Sequence, residues 1–100
     1  MPQSVVSARR PSKSNKRRSR ALVKLVLQTA FRKKFPSDTV DVSDGYDGNI
    51  HIIVVSRAFD KLSERARQAT LWRIVENADL TQEEKDLVTL LFGVSPGELK

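Results

Sequence analysis

Ile50-His51-Ile52-Ile53-Val54-Val55-Ser56-Arg57-Ala58-Phe59 is the stretch on which the fold turns. Five of its first six residues are β-branched aliphatics, which suit a pleated strand better than a helix. The run is almost wholly apolar, so it reads as a central strand covered on one face by helices. Upstream, Val40-Asp41-Val42 alternates. Between the two lies Ser43-Asp44-Gly45-Tyr46-Asp47-Gly48-Asn49, with two Asp-Gly turn signals in seven residues. That combination predicts a β-hairpin whose loop exceeds the two-residue minimum.

Working outward, the spacing predicts a helix over about 20–35. Leu22, Leu25, Val26, Ala30 and Phe31 recur at three and four residues and are read as its buried stripe. Ser19 is its candidate N-cap, and Phe35-Pro36 closes it, because the residue before proline avoids the α region. Arg32, Lys33 and Lys34 suit the negative end of its dipole. Downstream, a second helix is predicted from Asp60 or Ser63 to about Asn77. Leu62, Ala66, Ala69, Trp72, Val75 and Ala78 are read as its buried side, and Arg65, Arg67, Gln68 and Arg73 as its wetter side. Thr81-Gln82-Glu83-Glu84 fits a capping box and starts a short helical turn. Periodicity leaves Leu87–Val94 open between a continuing helix and a buried strand. Ser95-Pro96-Gly97-Glu98 can begin a last turn, with proline at its favoured first position.

Charge divides this chain in two. The first 37 residues hold eleven Lys or Arg and no acid, while the remaining 63 hold all twelve acids against seven bases, so the formal +6 conceals halves of +11 and −5. Residues 1–18 have too few apolar groups to offset backbone ordering and read as a disordered basic arm attached to a folded unit over 19–100. The absence of cysteine excludes disulfides and thiolate metal sites within the chain. No apolar run approaches the roughly 20 residues needed to span a bilayer. A soluble, cytoplasmic protein is therefore expected, with organellar or nuclear delivery through the basic N-terminus as the alternative.

This order of elements, with these residues, resembles the BolA-like proteins. The resemblance covers about Leu22 to Leu99 and is strongest over His51–Phe59, which is similar to the family's His, strand and Val-Ser-x-x-Phe signature. Here His51, Ser56 and Phe59 carry the signature, and Arg67 matches the first Arg of the family's Arg-His-Arg element. Ser95-Pro96-Gly97-Glu98 is similar to the Thr-Pro-Glu that follows the last strand, and counting back from it favours a strand over 87–94. The resemblance implies an α+β fold of αββααβ order, a three-stranded mixed sheet with helices on one face, related to class II KH domains. It also implies a monothiol glutaredoxin partner and a shared [2Fe–2S] cluster. Gln68 and Ala69 replace the rest of the Arg-His-Arg element, however. The near-invariant His of the last strand is missing, and the Ser43–Asn49 loop has neither His nor Cys. No cofactor or metal is expected.

The arm is the clearest functional feature. Arg9, Arg10, Lys13, Lys16, Arg17, Arg18 and Arg20 place seven cations in twelve residues, a device for phosphate contact and counterion release. The same spacing resembles a bipartite import signal, and a solvated tail is the bland alternative. Arg65 and Arg67 are read as a possible extension of this basic surface, against the simpler reading of a wet helix face. Gly45-Tyr46-Asp47-Gly48 matches the GxxG of KH domains in letters only. It joins two strands, and Asp44 and Asp47 repel phosphate, so a hairpin loop explains it better. Asp38, Asp41, Asp44 and Asp47 recur every three residues but lack calcium-loop spacing and are turn formers. His51 with Ser56 and Ser63 makes no catalytic constellation by spacing. The expectation is a non-enzymatic regulatory or adaptor protein that binds nucleic acid non-specifically through its arm. The alternative is a glutaredoxin-partnered adaptor in iron–sulfur or redox homeostasis.

Overall fold

A computed structural model describes residues 19–99. The arm expected over residues 1–18 lies outside them, with its Arg9, Arg10, Lys13, Lys16, Arg17 and Arg18. Helix α1 (Arg20–Lys34) leads into strand β1 (Thr39–Asp44), and a 3₁₀ turn at Tyr46–Gly48 returns the chain as β2 (Ile50–Val55). A second 3₁₀ turn (Arg57–Phe59), helix α2 (Glu64–Asn77) and the single-turn α3 (Gln82–Lys85) follow. Strand β3 (Val88–Val94) and a last 3₁₀ turn (Pro96–Leu99) end the described chain. The order is αββααβ, as expected, and the ambiguous segment resolves as a strand over Val88–Val94, with Leu87 in the turn before it.

Capping fixes the boundaries. The Ser19 hydroxyl accepts from the Leu22 amide and the Ser63 hydroxyl from the Ala66 amide, each satisfying an orphan donor of a first turn. Thr81 and Glu84 form a reciprocal capping box.

The sheet has strand order β1-β2-β3, with β1–β2 antiparallel and β2–β3 parallel. A register shift between Ile50 and His51 leaves Thr89 unopposed, a bulge that bends β3. Ile50, Ile52 and Val54 point to the helices and are fully buried. His51, Ile53 and Val55 alternate onto the other face and are half-buried, beside Leu90, Phe92 and Val94 of β3.

Phe31 and Val75 are buried as expected, but the rest of each helix's buried face is shifted by one position. In α1 the core residues are Val23, Leu27 and Phe31, whereas Leu22 and Leu25 are 41% and 59% exposed. In α2 they are Arg67, Leu71 and Val75, while Leu62 and Ala69 are exposed and Trp72 is half-buried. Helix α1 packs on β1 and α2 on β3, and each fully buried Leu or Phe contributes about 1.5–3 kcal/mol. Among the described residues no helix is long and apolar enough to cross a membrane.

Candidate nucleic-acid interface

The arm joins the fold at Ser19, at the end of the sheet where β1 turns into β2. Lys24 bonds the Asp44 carboxylate at 3.0 Å, tying α1 to that loop. Arg20 lies over Gly48: a Cβ added there would come 2.7 Å from Arg20 Nη2, and Gly48 also has φ +84°, which glycine tolerates best. Asp47 takes the left-handed region as well (φ 59°), a conformation Asp adopts more readily than most residues. This tight turn pushes Tyr46 outward to 87% exposure. The first turn of α1 holds no acid, so the positive end of its dipole is uncompensated there. An exposed aromatic, Arg20 and a positive helix end thus surround the point where residue 18 enters, and Lys24 already engages one of the loop carboxylates.

The second group of basic residues lies elsewhere. Arg65 is exposed on the first turns of α2, at the opposite end of the sheet from Arg20. The length of β2, about 17 Å, separates the two ends. Arg67 is 7% exposed and spends all five N–H groups inside the protein. Its Nε donates to Leu62 O at 3.1 Å; Nη1 to Gly93 O at 3.1 Å and Glu98 Oε1 at 2.9 Å; Nη2 to Phe59 O at 2.9 Å and Glu98 Oε2 at 2.8 Å. It also stands 5.8 Å from the centre of the Phe59 ring. No donor of Arg67 is left for a phosphate, whereas Arg65 is exposed but stands at the far end of the sheet from Arg20.

That clamp gathers most of the signature residues. Ser56 is buried and its hydroxyl accepts from the Ala58 amide, capping the 3₁₀ turn that carries Phe59. Phe59 is fully buried, with its ring 5.5 Å from that of Phe35. Bidentate pairing with Arg67, together with the Ser95 amide, holds the Glu98 carboxyl down at about 2, and Glu98 in turn raises Arg67. The sequence does not mark Glu98 as Arg67's partner, because 31 residues separate them. His51, the remaining signature residue, stands apart on the open face, its ring so close to Gly45 that a side chain there would collide with it.

Gln68, beside Arg67 on α2, has a definite task. Its Nε2 donates to Leu91 O at 2.6 Å and its Oε1 accepts from Trp72 Nε1 at 3.1 Å. Val94 O takes the Ser56 amide, next in line after β2, so the alternate carbonyls of Leu91 and Gly93 face the outer edge of β3. Gln68 and Arg67 therefore cover the outward carbonyls of an edge strand that has no charged residue of its own.

Among the described residues no group of three or more His, Asp or Glu side chains could hold a metal ion. Comparison with known proteins yields no matching family model, no matching curated protein and no matching solved structure. The BolA-like resemblance therefore stands on the residues quoted for it.

Proposed function

We propose that this chain is a small non-enzymatic adaptor that binds nucleic acid through its N-terminal arm, carried on a BolA-like body. One observation carries the reading. Residues 1–18 hold six Lys or Arg and no acid, whereas residues 19–99 hold eleven Lys or Arg against twelve acids. The arm thus supplies the net charge, and the body alone has no comparable attraction for phosphate. Arg20 extends the arm's cations onto the body, and Tyr46 offers a π-face on which an unpaired base can stack. Binding of this kind neutralises phosphates without reading sequence.

With seven cations from Arg9 to Arg20, the slope of log K against log salt on duplex DNA should be no steeper than about −6. The test titrates labelled duplex DNA and single-stranded RNA at several salt concentrations. It uses the full chain and a full-length variant with Arg9, Arg10, Lys13, Lys16, Arg17 and Arg18 replaced by Gln. The parent should bind with a steep salt slope and the variant should lose both affinity and slope. A parent chain with no salt-sensitive binding to either nucleic acid sinks the reading.

A further inference from the structure

Helix α1 carries more apolar surface than the sheet buries. Its core row is Val23, Leu27 and Phe31, yet Leu25, Val26 and Ala30 lie outside that row and line a groove against α2. The groove has a volume of about 760 Å³, within the range of built binding sites, and Ile74 and Ala78 complete its apolar lining. Lys33, Lys34 and Arg73 also line it, and among the described residues none of the three is in an ion pair.

The groove has a direction. Helix α1 starts at the β1–β2 loop, and α2 starts at the opposite end of the sheet beside Gly93, so the two helices run antiparallel. Lys33 and Lys34 at the end of α1 therefore face the Thr70–Arg73 part of α2. Asp79, the one carboxylate in the lining, belongs to the other end and already has a partner.

We propose that this groove docks an amphipathic helix of a partner protein, with two apolar side chains on the Leu25–Ile74 floor and acidic side chains against Lys33, Lys34 and Arg73. Charge complementarity selects the occupant. A second copy of this chain would bring the same cations to its own α1 and be repelled. A nucleic acid would meet an apolar floor with no aromatic residue in the lining on which to stack. The α1 wall from Leu25 to Lys34 is about 13 Å long, enough for roughly two and a half turns of a bound helix. The groove is lined only by residues of the folded body, and this inference does not depend on the arm's role.

The probe is a fluorescein-labelled helical peptide of roughly 15 residues, long enough to form a helix. It carries two Leu four residues apart flanked by Glu, and two controls replace the Leu by Ser or the Glu by Lys. Titration uses the full chain with the six arm cations replaced by Gln, so that the arm cannot capture the acidic peptide. Backbone amide shifts locate the contact. The expected result is shifts along 25–34 and 70–79 with binding lost in the Ser control. Leu25→Glu, at an already exposed position, and Ala30→Trp, which fills the groove, should each weaken binding at least tenfold. The triple change K33E/K34E/R73E should reverse preference toward the Lys-flanked peptide. No binding at about 1 mM peptide, shifts outside the groove, or affinity indifferent to Leu25→Glu and Ala30→Trp overturns the proposal.

Discussion

Gly93→Ala should destabilise the protein, although glycine in a strand is usually a weakness. A Cβ at Gly93 would lie 3.1 Å from Leu71 Cδ1 and 3.1 Å from both Cε2 and Cζ of Phe59. Leu71 and Phe59 are fully buried, so neither can swing into solvent. The strand cannot easily retreat, because Gly93 pairs with Val54 on one side and its carbonyl is held by Arg67 on the other. Overpacking of this kind costs about 1–3 kcal/mol. Restricting the unfolded chain returns about 0.4–1 kcal/mol. The net expectation is a loss of about 1–2 kcal/mol, or roughly 5–15 °C in Tm for a domain of this size. Urea denaturation of parent and variant measures it. A second variant, Leu71→Ala, makes room, so the double mutant should show a favourable coupling of at least about 0.5 kcal/mol. A Gly93→Ala protein as stable as its parent, or more so, would refute the steric reasoning.

Acid should unfold the protein partly through Glu98. Its carboxyl lies at about 2 in the folded state against the ordinary 4.5, so the stability it contributes is present above 4.5 and is lost as pH falls toward 2. Denaturation curves between those limits should be less pH-dependent in Glu98→Gln. Replacing Gln68 with Leu uncovers the Leu91 carbonyl and should cost about 1–3 kcal/mol. Sedimentation at rising concentration should also show self-association through the bared edge of β3. Ser63→Ala removes the α2 cap and should lower stability by about 1 kcal/mol in chemical denaturation, whereas Ser63→Asp should hold it.

The element order and most boundaries were legible because local chemistry sets them. Ser19, Ser63 and Thr81 cap their helices as their sequence neighbourhoods indicate, and Asp44–Gly48 turns as its Asp-Gly pairs indicate. The buried faces were harder to read. In α1 two rows, Val23-Leu27-Phe31 and the one through Leu22, Val26 and Ala30, each satisfy helical spacing, and only the sheet chooses between them. Arg67 looked like a wet-face cation because its carbonyl and carboxylate partners lie up to 31 residues away. Gln68 likewise reads as a wet-face residue, since its partner carbonyl is 23 residues on. The surplus apolar row of α1, the basis of the groove, was visible as letters but not as surplus.

Strand β2 is central, yet its two edges are satisfied at very different moments. The hairpin to β1 closes over a loop of five residues, whereas the parallel edge waits for Val88, which follows the whole of α2 and α3. During synthesis, the apolar Ile50–Val55 run therefore emerges with one side unpaired and stays so until some 40 further residues have appeared. Such a topology folds slowly relative to a local hairpin and leaves a sticky intermediate in the interval. Expression yield should thus respond to translation speed and to chaperone supply more than the finished protein's stability would suggest. For this chain, the hazardous period falls before residue 94 is made, not after folding is complete.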